Sequence, residues 1–201
     1  MTREIKDFFD KLDNDLNPIK EQAIKYFDID SKVRVDNAVQ IYRRPWVAPE
    51  NFGLLIFPPV DKNWLSEFVK RTGKVIPKVY ENILRQMNGC FIYDFSLFGL
   101  PKSIYTKGVL NRSVLQQFDL TTANTSWVRE YAIDQKLFHI GGRAYSYSEN
   151  IGYFVDGETI LSARTTGEIV NSFSTVKEFF ATEIDAAEKM MIEERNEGEN
   201  K

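Results

Sequence analysis

Residues 137–173 read LFHIGGRAYSYSENIGYFVDGETILSARTTGEIVNSF. Within them LFHIGG, AYSY, IGYFVD, TILSAR and EIVNSF have the aromatic and β-branched composition of short strands. Gly141-Gly142, Asp156-Gly157 and Thr166-Gly167 fall between them at hairpin spacing. This stretch predicts a run of antiparallel strands. A helix is expected directly after it, from about Ser174. Thr175 and Glu178 fit a capping box, and Val176, Phe179, Phe180, Ile184, Ala187 and Met191 form one apolar stripe. Beyond about residue 192 the sequence EERNEGENK has no apolar anchor, so the helix is expected to fray there.

Working upstream, residues 61–89 carry the clearest local signal. Asp61 or Asn63 can cap a helix bearing Trp64, Leu65, Phe68 and Val69, which Gly73 ends. Ile76-Pro77 starts a second helix with Val79, Tyr80, Ile83, Leu84 and Met87 on one face, closed by Asn88-Gly89. An aromatic strand, CFIYDF, follows, then LFGLP. At the N-terminus Ile5, Phe8, Phe9 and Leu12 lie at helical spacing behind Thr2, which can cap them. Asn17-Pro18 interrupts that helix, and Ile19, Ala23, Ile24 and Phe27 continue the helical spacing. Val33, Val35, Val39 and Ile41 flank an Asp36-Asn37 turn as a hairpin, and FGLLIF at 52–57 is a short buried strand ended by Pro58-Pro59. Val114–Phe118 and Thr125–Tyr131 read as short helices. The order predicts an α+β fold with a single, mostly antiparallel β-sheet flanked by helices. Residues 1–59 are expected to form an N-terminal helix and hairpin extension packed on the core, 60–184 the main domain, and 185–201 the end of the closing helix with an acidic tail.

Composition narrows the function. The chain has 201 residues, enough to bury roughly 70% of its unfolded surface without a metal or disulfide staple. With one Cys (Cys90) and one His (His139), zinc sets built from several Cys and His, and any internal disulfide, fail by counting. The net charge is −3, and residues 185–201 hold six acids against three bases, so the rest of the chain is balanced. No basic field suggests nucleic acid as a ligand. The charged start, MTREIKDFFDKLDND, lacks the apolar run of a secretory signal, and no run is long enough to span a bilayer. A reduced cytoplasm is the expected compartment, with no membrane partner.

Catalytic motifs are mostly refused. A Ser/His/Asp triad must use His139, which sits in a strand of buried character, and there is no GxSxG elbow. A Cys90–His139 dyad competes with the reading of Cys90 as a small core filler. Gly73-Lys74 lacks the remainder of a phosphate loop. Asp13, Asp15 and Asn17 imitate the start of a calcium loop, but Pro18 and Ile24 occupy the positions of its Gly and Glu. Asp28-Ile29-Asp30 is a DxD pair without a partner motif. Acids are abundant, and nothing selects one pair for glycoside hydrolysis. No catalytic residue, cofactor or metal ligand is assigned. Tyr145-Ser146-Tyr147-Ser148-Glu149-Asn150 reads either as an adaptable recognition surface or as a strand and turn with two outward Tyr. Tyr145, Tyr147, Glu149, Asp156 and Glu158 are the candidate partner-binding residues.

The chain resembles the SMI1/KNR4 family of the SUKH superfamily over roughly residues 60–184. The residues that carry this are Trp64-Leu65, the string Ile76-Pro77-Lys78-Val79-Tyr80, Leu84 and Asn88-Gly89, then Phe98-Gly99-Leu100 and His139-Ile140-Gly141. Tyr153-Phe154-Val155-Asp156, Gly167-Glu168-Ile169-Val170, and Ser172-Phe173 followed by Phe179-Phe180 complete the match. Ile76 stands where the family typically has Leu, and the first 60 residues lie outside the pattern. The resemblance implies an SMI1/KNR4-like fold and a binding protein rather than an enzyme. Many bacterial members look like immunity proteins that block a cognate toxin, often a nuclease; fungal members are regulatory scaffolds. The expected partner is therefore a cognate toxin, with a regulatory module as the alternative.

Overall fold

In a computed structural model, the structure describes residues 1–100, 118–125, 131–146 and 148–199. The two short helices expected at 114–118 and 125–131 fall largely outside them. Helices α1 (Arg3–Phe9) and α2 (Asn17–Tyr26) lead into strands β1 (Lys32–Val33), β2 (Val39–Arg43) and β3 (Phe52–Ile56). Helices α3 (Lys62–Thr72) and α4 (Lys78–Leu84) precede β4 (Cys90–Ile92) and β5 (Phe95–Leu97). A short α5 (Leu120–Thr125) comes before β6 (Phe138–Ser146), β7 (Glu149–Asp156), β8 (Thr159–Arg164) and β9 (Ile169–Phe173), and α6 (Val176–Glu199) closes the chain. The fold is α+β. All nine strands form one sheet in chain order, and every neighbouring pair is antiparallel. Residues 1–59 therefore share both the sheet and the main apolar core with the rest of the chain.

That core lies on one face of the sheet. Ile41, Leu54, Ile92, Phe95, Tyr153 and Ile160 meet Ile5 and Phe9 of α1, Ile19 of α2, Tyr80 and Leu84 of α4, and Phe179 and Phe180 of α6. A smaller cluster of Ala38, Leu55 and Phe57, with Phe91 against it, lies apart from this core. Leu54 pairs with Ile92 and Leu55 with Phe91, so the period of a strand sends successive β3 residues to opposite faces.

Several local signals act as the sequence suggests. Asp61 caps α3, its carboxylate accepting from the amides of Asn63 and Trp64 at 2.8 and 3.2 Å. Thr175 Oγ1 accepts from the Glu178 amide at 3.1 Å, which is half of a capping box. Other elements differ. Pro18 begins α2 rather than breaking a helix, since its missing N–H has no intrahelical partner in a first turn. Val35 is outside β1 and exposed. CFIYDF is two strands joined by a tight turn at Tyr93-Asp94. Gly141-Gly142 is not a turn but lies inside β6. A Cβ at Gly141 would collide with Ser96 O, and one at Gly142 would come within 2.5 Å of Ile151 O. These glycines permit close strand approach; the reversal comes beyond Ser146. Helix α6 continues to Glu199, past the expected fraying point.

The residues of the 76–100 stretch meet in space. Tyr80 Oη donates to the carbonyl of Phe98 and lies 3.2 Å from that of Ile140. Asn88 brackets Leu100, accepting from its amide at 2.7 Å and donating to its carbonyl at 2.8 Å. Gly89 follows at φ 82°. The string is thus a latch joining the end of α4 to β5 and β6.

Helix α6 is held by a buried ion pair. Arg143 Nε donates to Glu183 Oε2 at 2.6 Å, with side chains 7% and 0% exposed. Tyr153 Oη donates to the same oxygen at 2.8 Å, and Asn171 Nδ2 lies 3.4 Å from Oε1. One carboxylate of α6 is therefore served by β6, β7 and β9. Glu183→Ala leaves Arg143 buried and unpaired, so it should lower the unfolding free energy by about 3–5 kcal/mol in urea denaturation. A Glu183→Leu, Arg143→Met double variant should recover most of that loss.

Candidate protein-binding surface

The sheet has two ends, and the candidate residues divide between them. Glu149 begins β7 and Asp156 ends it, so their backbones lie about 23 Å apart at the rise of a strand. Tyr145 and Glu149 belong to one end; Asp156 and Glu158 belong to the other. Tyr147 lies outside the described residues. Tyr145 is half-buried beneath Arg164, whose guanidinium sits 4.5 Å from the ring centroid. Arg164 Nη1 also donates to Glu149 at 2.6 Å. Tyr145 and Glu149 are thus brought together, each engaged by the same arginine. Glu158 is exposed and lines a polar groove of about 360 Å³ with Asp13, Asp15, Lys78, Gln86 and Thr175.

The two residue types most suited to chemistry are built into the interior. His139 is 4% exposed and stacks on Phe154 at 4.6 Å and 16°. Its Nε2 lies 3.0 Å from Gly141 O. Burial pulls its pKa down to about 4, so the imidazole is neutral at pH 7. Cys90 is fully buried in β4, and burial pushes its thiol up, away from thiolate reactivity. Among the described residues no group of three or more His, Cys, Asp and Glu is arranged to hold a metal ion. Among the same residues no helix is long and apolar enough to cross a membrane.

The end of the sheet that holds Tyr145 also carries features that sequence reasoning missed. Three segments converge there: residues 27–31 before β1, 44–51 between β2 and β3, and the Tyr93-Asp94 turn. Asp28 ties the first to the end of β2, accepting from the Arg43 amide at 2.8 Å, and Arg43 pairs with Asp30 at 3.7 Å. The Tyr93 amide donates to Gly53 O at 2.6 Å, tying the third to β3. Ile29, Trp46 and Val47 are exposed here, at 100%, 50% and 53%. Behind them Tyr26, Tyr42 and Tyr93 pack edge to face or tilted, with centroids 4.8 and 5.8 Å apart, and Tyr42 meets Trp46 at 5.8 Å. Gly53 makes room for this cluster; a Cβ there would come within 2.8 Å of the Tyr42 ring.

The backbone under this cluster is strained. Tyr42 and Tyr93 have φ of 64° and 58°, a region that costs a non-glycine residue about 1–3 kcal/mol. Cations of the chain lie over the rings: Lys25 over Tyr26, Arg44 over Tyr93 and Arg195 over Trp46, at 5.2, 5.6 and 5.4 Å. Glu188 of α6 accepts from Gln22, Lys25 and Tyr26. Burial opposes the Glu188 charge, yet these donors hold its carboxyl below the ordinary value. Burial and that neighbouring carboxylate push the Tyr26 hydroxyl up to about 12.

Asp94 is the odd group. Both its oxygens are buried, and no side chain among the described residues donates to them; only the backbone amides of Asp94 itself and of Ala144 approach. Burial raises its pKa from 3.8 to about 6, and the backbone amides together with Arg143 only partly offset this. The signal that could have found this end was the Trp46-Val47 pair between Pro45 and Pro49, apolar residues in a segment without strand or helix period.

No protein-family model matches the chain, and no curated protein is detectably similar to it.

Asp94 and His139 pull stability in opposite directions over one pH window. A buried acid with a raised pKa stabilises the fold below its unfolded value, and that stability is lost as pH rises through about 6. A depressed histidine does the reverse: the unfolded chain takes up protons first, so stability falls as pH drops from 6.5 toward about 4. Each effect is worth about 3 kcal/mol at most. Chemical denaturation across this range should therefore be nearly flat for the unaltered protein. Asp94→Asn should lose stability steeply on acidification, and His139→Phe should gain it.

Proposed function

We propose that this chain is a non-enzymatic protein-binding module of SMI1/KNR4 type, an immunity protein that neutralises a cognate bacterial toxin by direct contact. The observation that carries the reading is the exposed Ile29, Trp46 and Val47 surface, mounted on tyrosines in strained backbone at one end of a nine-stranded sheet. Trp, Tyr and Arg dominate the residues that supply most of the energy in protein interfaces, and this end concentrates all three. Backbone strain gathers where geometry is held for a purpose. The family reading draws support from the latch of Tyr80, Asn88 and Gly89. The residues that carry the resemblance form one hydrogen-bonded unit with Phe98, Leu100 and Ile140. The acids Asp156 and Glu158 lie at the far end, so the interface centres on Trp46 rather than on them.

The test is co-expression with the product of the neighbouring gene, scoring growth rescue and co-purification together. The protein should rescue growth and co-purify with that product. Trp46→Ala and Val47→Asp should each weaken binding by about 2 kcal/mol or more, a loss of roughly thirtyfold, without lowering the melting temperature. Glu158→Lys should change neither readout. Capture of housekeeping proteins with no toxin would instead favour a regulatory scaffold.

A further inference from the structure

Three rings at the Trp46 end each carry a cation of the chain, and the three cations are held differently. Lys25, over Tyr26, is fixed by its 2.6 Å ion pair with Glu188. Arg44, over Tyr93, is buried and donates to Asn51 Oδ1 at 3.0 Å. Arg195 lies 5.4 Å from the centre of the Trp46 ring, on an exposed turn of α6 beyond Met191, the last buried apolar residue of that helix. An indole face attracts a cation through its quadrupole, and a guanidinium also stacks on it. The Trp46 ring is therefore a cation site that the chain fills with a side chain of its own.

The site is built before anything binds. Residues 44–51 form a closed loop: the Arg44 amide donates to Asn51 O at 2.8 Å, the Val47 amide to Arg44 O at 3.0 Å and the Asn51 amide to Ala48 O at 3.0 Å. Tyr42 supports the indole edge to face, and half of Trp46 stays open to solvent. The surrounding charges favour a cationic visitor. Lys25 and Arg43 are neutralised by Glu188 and Asp30, and Lys32 lies over the Phe52 ring. Glu50, in the same loop as Trp46, and Glu193 and Glu194, beside Arg195, are exposed and enter no salt bridge among the described residues.

We infer that the partner's anchor at this surface is an arginine of a basic segment, which takes the face of Trp46 in place of Arg195 and meets Glu50, Glu193 and Glu194 around it. The inference rests on the reading of the Trp46 end as the partner surface, and it names the chemistry that surface selects. Arg195 then acts as an internal competitor: it covers the indole in the free protein, and a partner has to displace it.

The probe is a fluorescein-labelled, end-blocked tetra-arginine peptide, read by anisotropy at low salt. It should bind about threefold or more tighter than the tetralysine analogue, because the guanidinium stacks on the ring and the ammonium does not. Trp46→Leu should erase that preference. Arg195→Gln should tighten tetra-arginine binding by about threefold or more, and should lose this effect in a Trp46→Leu background. Lys189→Gln removes the same charge from α6, where Lys189 pairs with Asp185, and should change binding by less than about twofold. All these changes are on exposed side chains, so the melting temperature should stay constant across the set. Equal binding of the two peptides, or an Arg195→Gln effect that persists without Trp46, overturns the inference. No toxin enters this measurement, so it separates from the functional reading. A partner protein whose binding falls with Trp46→Ala but ignores Arg195→Gln and Glu194→Gln sinks the arginine anchor alone. A peptide site that behaves as described, with no protein docking at Trp46, overturns the partner reading on which the anchor rests.

Discussion

A single carboxylate, Glu183, ties the closing helix to three strands. It is wholly buried, and its position is set by Arg143, Tyr153 and Asn171 from β6, β7 and β9. Removing two charges from water is expensive, so such a pair adds little net stability compared with a well-packed apolar equivalent. What it adds is register. Helix α6 can slide along an apolar face with small losses, but it cannot slide away from Arg143 without leaving a charge stranded. Phe179 and Phe180 are thereby fixed against Phe95, and the later turns reach the Trp46 end of the sheet, where Glu188 meets α2. The geometry around Trp46 is downstream of this one lock.

The scaffold and the surface follow different physical rules. The core is a meander whose neighbours in sequence are neighbours in space, joined on one face by aromatic packing. The Trp46 end breaks those rules: tyrosines stand at positive φ, a buried acid lacks a side-chain donor and large apolar side chains meet solvent.

Much of the fold was legible because its signals are local. The cap at Asp61, the start at Pro77 and the stripe of α6 each depend on residues within one or two turns. Strand-rich composition from residue 137 onward, with turn residues at hairpin spacing, marked out the later strands. The failures share a cause: each depends on something remote. Whether two glycines make a turn or a close strand crossing depends on Ser96 and Ile151, far away in sequence. The Tyr93-Asp94 reversal carries no glycine, because the cluster around Tyr26 and Tyr42 sustains its strain. The persistence of α6 past residue 192 is accompanied by the contact of Arg195 with Trp46. The surface was hardest to read. Tyr145 and Tyr147 drew notice by composition, whereas Trp46 and Asp94 matter through what surrounds them. Tyr145 and Asp156 read as one neighbourhood because eleven residues separate them, yet a strand runs most of that distance straight.

The meander has a consequence for how the molecule forms. Each hairpin can close with its predecessor as the chain lengthens, because every strand pairs with the one made just before it. The last step differs in kind. Arg143 and Tyr153 are placed by strands that pair early, but their acceptor arrives only with α6. Until then the sheet presents an aromatic face and an uncompensated guanidinium to its surroundings. Newly made protein is thus most vulnerable to aggregation in the interval before α6 docks.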